Sequence, residues 1–105
     1  MKGLVDKAAC VRDNGRMLAC KHVYYSGRVQ GVGFRYTAQN LAEDFAVNGF
    51  VRNLPSGEVE VVAEGEASDV DAFLSAIEQR MAGYIDRKSE QAEVSGGYKG
   101  FQIRY

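Results

Sequence analysis

A chain of 105 residues is one domain, long enough to bury roughly two-thirds of its unfolded surface in a single core. Apolar residues make up 46% and charged residues 26%, and no apolar run approaches the ~20 residues that span a bilayer, so a soluble globular protein with no membrane partner is expected. The net charge of −1, with acids in both halves, excludes an overall basic field for nucleic acid; any attraction for anions must be local.

Residues 1 to 19 mix charged and small residues without periodicity and lack the apolar segment of a secretory signal, so a cytoplasmic location is expected. Asp13-Asn14-Gly15 could turn a hairpin between Cys10-Val11 and Met17-Leu18, but an isolated hairpin is marginal in water. Residues 1–20 are read as a flexible extension, and 21–105 as the domain. Cys10 and Cys20 precede that domain and are read as free thiols; with one histidine and no close ligand spacing, no metal is expected.

From Lys21 the pattern tightens: Val23 and Tyr25 alternate with His22, Tyr24 and Ser26, as in a strand. Gly27-Arg28-Val29-Gln30-Gly31-Val32-Gly33-Phe34-Arg35 follows. Three glycines before a helix start let amide N–H groups turn toward one point, which is how a chain makes an anion pocket. The spacing fits neither the dinucleotide fingerprint nor a P-loop. Ala38, Leu41, Ala42 and Phe45 then predict a helix over 36–47, with Asn48-Gly49 as its left-handed stop.

Phe50 to Leu54 and Glu58 to Glu64 read as a hairpin around Pro55-Ser56-Gly57. Ser68 and Asp71 resemble a capping box ahead of the stripe Val70, Phe73, Leu74, Ile77 and Met81, a second helix. Ile85 to Val94 is polar with alternating charge, as in an edge strand facing water. Phe101, Ile103 and Tyr105 alternate with Gln102 and Arg104 in a short last strand. The order is β-α-β-β-α-β, with Ile85 to Val94 as an extra strand. Single apolar stripes on the helices and alternating strands give an α+β, open-faced sandwich of ferredoxin-like topology, two helices on one face of an antiparallel sheet.

On chemistry, the Arg35 guanidinium can turn back over the loop and grip two phosphate oxygens, or it is a solvated surface arginine. Asn53 ends a strand before a turn, where a carboxamide can simply bond its own backbone. Arg28 is a surface charge that helps attract anions. His22 lies outside the loop, and neither cysteine falls in it, so no covalent nucleophile is apparent.

The nonapeptide Gly27 to Arg35, followed by Gly49-Phe50-Val51-Arg52-Asn53 and closing on Phe101-Gln102-Ile103-Arg104-Tyr105, resembles the acylphosphatase family, with its GxVQGVxFR loop and G-aromatic-V-x-N strand. The resemblance runs from about His22 to Tyr105 and implies the same fold. It implies a metal-independent hydrolase, without cofactor, that cleaves the carboxyl-phosphate anhydride of small acyl phosphates by direct attack of water, with inorganic phosphate as product and inhibitor. Arg35 and Asn53 would be catalytic, Asn53 holding the water. Gln30, Gly31, Val32, Gly33, Phe34 and Arg35 would bind phosphate, in a monomer. The competing class is an RNA-recognition domain stacking bases on Tyr24, Tyr25, Phe50 and Phe101, against which Glu58 to Glu64 carries acids and no aromatic. A phosphate-handling regulatory domain that has lost turnover is the third reading.

Overall fold

The computed structural model describes residues 10–13, 16–94 and 96–105, with side chains from Met17 onward. The elements are β1 (Cys10–Asp13), β2 (Arg16–Gly27), α1 (Phe34–Ala42), β3 (Val47–Asn53), β4 (Val59–Glu66), α2 (Ala67–Arg80), β5 (Ile85–Glu93) and β6 (Phe101–Arg104). The sheet runs β1-β2-β4-β3-β6, and β5 lies on β2 beyond the end of β1. The β-α-β-β-α-β order and the two helices packed on one sheet match the expected sandwich.

Alternation decides the core. Val23 and Tyr25 of β2, Val51 of β3, and Val59, Val61 and Ala63 of β4 turn to one face, where Phe34, Ala38 and Ala42 of α1 and Val70, Phe73, Leu74 and Ile77 of α2 cover them. Fully burying each larger side chain contributes about 1.5–3 kcal/mol, so these two stripes hold the layers together. Phe73 also meets the Phe101 ring edge-on at 5.1 Å, fastening β6 beneath α2.

Several expected boundaries move. The first strand begins at Arg16, not Lys21, and β1 pairs with it antiparallel, Val11 opposite Leu18; residues 1–9 lie outside the described set. Pairing of Leu18 to Lys21 with Glu66 to Ala63 of β4 extends the strand, a partner remote in sequence that local periodicity does not report. The first helix spans 34–42 instead of 36–47. Glu43, Asp44 and Phe45 bond back only three residues, to Asn40, Leu41 and Ala42, tightening the chain while keeping Phe45 against the Phe73 ring.

Gly49 is not a helix stop. It sits inside β3 at φ 143°, and a Cβ there would lie 1.8 Å from the Val62 carbonyl oxygen of β4, so the close strand approach requires glycine. The capping box also fails to form: Glu66 is the N-cap of α2, with no side-chain cap, and the Asp71 carboxylate accepts from Lys21 Nζ at 2.7 Å instead.

The sheet is mixed, not antiparallel throughout. Strands β5, β2, β4 and β3 alternate in direction, whereas β6 runs parallel to β3, Ile103 opposite Val51. β5, expected as the optional strand, takes the closing place in the β-α-β-β-α-β unit, and β6 is the addition. As expected, β5 lies at the edge with most of its residues exposed.

Candidate active site

The segment 28–33 connects β2 to α1 at the same end of the sheet as the β3–β4 turn. Arg28 N–H donates to the Tyr84 carbonyl at 2.9 Å, anchoring the loop's entrance to the α2–β5 turn. Gly31 and Gly33 adopt φ of 79° and 82°, the left-handed region that glycine enters without strain. Gly33 is the N-cap of α1 without a side-chain cap, and its carbonyl takes the first helical bond from Thr37 at 2.9 Å. The N–H groups of Phe34, Arg35 and Tyr36 therefore leave the first turn with no partner inside the helix, and no acidic residue occupies that turn.

Val29, Gly31, Gly33, Phe34, Arg35, Tyr36 and Asn53 line one cleft of about 220 Å³. That is below the size of sites that enclose drug-sized ligands, and it suits a small anion with a short tail. Arg35 and Asn53, eighteen positions apart in sequence, meet there because β3 ends beside the loop. The Arg35 guanidinium lies over the Tyr105 ring, 5.0 Å from its centre. Hydrogen bonding with Tyr36 raises the pKa of the Tyr105 hydroxyl, so Tyr105 adds no negative charge at neutral pH. Asn53 Oδ1 is buried and accepts no hydrogen bond from the described residues. A turn-forming asparagine would spend that oxygen on its own backbone, so the bland reading of Asn53 lacks its defining contact.

Gln30 and Val32 do not line the cleft with the others: Val32 packs against the core, and Gln30 Nε2 donates to the Leu54 and Glu58 carbonyls at 2.8 and 2.9 Å. Tyr36 and Tyr105 are additions that sequence reasoning missed. Tyr36 carried a signal in its place directly after Arg35. Tyr105 carried a misleading one, since its alternation with Phe101 and Ile103 points to the core while it stands 89% exposed.

The remaining titratable groups sit elsewhere. His22 belongs to the helix-free face, bonded to Glu60 and stacked on Tyr24 with centroids 4.9 Å apart. Arg52 Nε donates to the other Glu60 oxygen at 2.5 Å. Burial alone would raise the Glu60 carboxyl, but its hydrogen bonds with His22 and Arg52 outweigh that and hold it below its ordinary 4.5. Cys20 is buried on the same face, its thiol pushed up to about 11 by burial and the Glu64 charge, which makes it inert as a nucleophile; the Cys10 side chain lies outside the described set. Among the described residues, no three of His, Cys, Asp and Glu gather as a metal site would require.

The base-stacking alternative keeps only Tyr24 of its four aromatics, on the helix-free face and stacked on His22. Tyr25 and Phe101 point to the helices, and Phe50 is covered by Tyr98 and by Arg104, whose guanidinium lies 4.0 Å from the ring centre. A small α+β sandwich with a glycine loop at a helix start, an arginine and an unpartnered asparagine in one cleft defines a class of anion-handling domain.

Comparison with known proteins narrows that class. The acylphosphatase family model matches residues 21–103, and the chain belongs to that family. An acylphosphatase from Methanospirillum hungatei is 45% identical over 82 residues, covering 75% of this chain and 89% of its own. One from Rubrobacter xylanophilus is 41% identical over 97 residues, covering 88% and 86%. Among solved structures, the acylphosphatase from Bacillus subtilis superposes with a TM-score of 0.74 at 33% identity, over 85% of this chain and all of that one.

Proposed function

We propose that this protein hydrolyses small acyl phosphates, R–CO–O–PO3, to a carboxylate and inorganic phosphate, and that Arg35 and Asn53 carry the reaction. The observation that carries the reading is the meeting of three uncommitted groups in one cleft: the N–H groups at the start of α1, the Arg35 guanidinium and the buried Asn53 Oδ1. Membership of the acylphosphatase family supports the same chemistry.

The phosphoryl oxygens lie against the amides of Gly31 to Arg35, and Arg35 spans two of them with its fork of donors. Asn53 Oδ1 accepts a hydrogen bond from the attacking water and turns its lone pair toward phosphorus. As the water oxygen bonds to phosphorus, the bond from phosphorus to the acyl oxygen breaks and its electron pair leaves with the carboxylate. One of the water's protons passes to a phosphoryl oxygen and the other stays on the attacking oxygen, so the products are a carboxylate and dihydrogen phosphate. No His, Asp or Glu side chain lines the cleft as a general base. Carboxylate is a weak base and needs little protonation to leave, so positioning and charge stabilisation carry most of the acceleration.

Arg35 supplies the positive charge that a metal would otherwise bring, so turnover is independent of metal and no cofactor takes part. A monomer acting in the cytoplasm completes the reading. The test is benzoyl phosphate hydrolysis with and without EDTA, with inorganic phosphate as competitor and amide shifts recorded on phosphate titration. Turnover that survives EDTA, competitive inhibition, and shifts centred on 31–36 are expected. Phosphate binding without turnover would make this a regulatory domain; loss in EDTA restored by magnesium or zinc would refute metal independence.

A further inference from the structure

The cleft depends on two separately built parts, the β2–α1 loop and the end of β3, holding one geometry. Gln30 joins them. Its Nε2 donates to the Leu54 carbonyl at 2.8 Å and to the Glu58 carbonyl at 2.9 Å. Those two carbonyls form the neck of the β3–β4 turn, where Leu54 N–H also donates to the Glu58 carbonyl at 2.8 Å. Asn53 is the residue just before, the last of β3 in register, opposite Val59.

A primary amide nitrogen carries two hydrogens, and both are used here. The Gln30 side chain thus keeps no donor for an anion. Beyond the neck, Pro55, Ser56 and Gly57 are exposed, and the turn's other ties are local: Gly57 N–H to the Leu54 carbonyl at 3.0 Å, and Ser56 with Glu58. Without Gln30 the end of β3 would be held by its ladders to β4 and β6, and the loop by Arg28 on the Tyr84 carbonyl and by Val29 and Val32 in the core, with neither held to the other through this neck.

We propose that Gln30 is a positioning residue, a latch that holds the Asn53 carboxamide at a fixed place relative to the anion loop by gripping the carbonyls of Leu54 and Glu58. This rests on the reading of Asn53 given above. Misplacing a reacting group by about 1 Å can cost on the order of a hundredfold, and a freed hairpin neck, still held by its ladder, should lose about tenfold. The loss falls on turnover, because the loop amides and Arg35 that bind the anion are not touched.

The test compares Gln30→Met, which keeps most of the length without donors, Gln30→Ala, Asn53→Ala and Gln30→Met/Asn53→Ala. Expected are a kcat about tenfold lower in both Gln30 variants, a phosphate inhibition constant within about twofold of the parent, and a double variant no slower than Asn53→Ala alone. An unchanged kcat in Gln30→Met with a slow Asn53→Ala would overturn the latch and leave the Asn53 reading standing. A weakened phosphate constant with kcat retained would instead make Gln30 a phosphate ligand, and a multiplicative loss in the double variant would show that it does not act through Asn53. An unchanged kcat in Asn53→Ala would remove both. Should the Gln30 variants fail to fold, couplings across the hydrogen bonds from the Gln30 amide to the Leu54 and Glu58 carbonyls decide: persistence in saturating inorganic phosphate supports the latch, and their loss on adding phosphate overturns it.

Discussion

The Arg35 guanidinium lies over the Tyr105 ring at 5.0 Å, so, among the described residues, the cation that lines the cleft rests on an aromatic surface rather than on a carboxylate. A carboxylate partner would neutralise Arg35 and compete with phosphate. A ring orients the guanidinium plane and leaves its donors free. Tyr105→Phe should therefore be nearly silent. Tyr105→Ala should lower kcat/KM by about two- to fivefold, the kinetic equivalent of the ~0.5–1 kcal/mol that an exposed cation–π contact contributes. Steady-state kinetics on both variants check this, and equal losses would mean that the hydroxyl, not the ring, matters.

Arg35→Lys should be almost as damaging as Arg35→Ala, each losing on the order of a hundredfold in kcat/KM, because a point charge on a flexible stem reproduces neither the two-pronged grip nor the planar stacking on Tyr105. Both should fold. Circular dichroism establishes that, and near-normal kinetics for the lysine variant would show that charge alone suffices.

Asn53→Ala should cut turnover by on the order of a hundredfold while leaving the phosphate inhibition constant nearly intact, as the proposed division of water to Asn53 and anion to the loop and Arg35 requires. Asn53→Asp keeps the shape but sets a negative charge beside the phosphate, so it should weaken phosphate inhibition as well. A stability loss in either variant without a rate loss per folded molecule would return Asn53 to the role of a turn residue.

Glu60 makes a prediction about pH. Its folded carboxyl lies below 4.5, held there against the effect of burial by hydrogen bonds with His22 and Arg52. A lowered folded pKa means that this group's stabilisation is fully present above the unfolded value and is lost as pH falls through the folded one. Glu60→Gln should thus lower the melting temperature at neutral pH, by an amount corresponding to about 1–3 kcal/mol, and the gap to the parent should close as pH falls below 4.5 and through the lowered folded pKa. Thermal scans across that range measure it. A gap independent of pH would show that shape, not charge, holds the network.

Much of this architecture is legible without coordinates, for identifiable reasons. The loop from Gly27 to Arg35 and the stripe Val70, Phe73, Leu74, Ile77 are local patterns, and local patterns survive folding. What resists reading depends on partners far along the chain. Gly49 looks like a helix stop because Asn-Gly commonly is one; only the Val62 carbonyl, brought in by β4, explains it. The parallel placement of β6 and the swing of Tyr105 over Arg35 leave no periodic trace. Gln30 sits inside the most readable motif of all, yet the destination of its side chain is invisible until the hairpin neck is placed.

The bond from Arg28 N–H to the Tyr84 carbonyl, with Cys20 to Gly27 laddered onto β5, has a consequence for how the molecule is made. Closing contacts so distant in sequence is entropically slow, and helical segments form long before them. During synthesis, α1 and the β3–β4 hairpin emerge early, each marginal alone, and the loop has no partner at its entrance until residues 84 to 93 leave the ribosome. The emerging chain therefore holds the Gly27 to Arg35 motif in full and cannot fix its geometry, so activity should switch on late and abruptly, with the docking of β5.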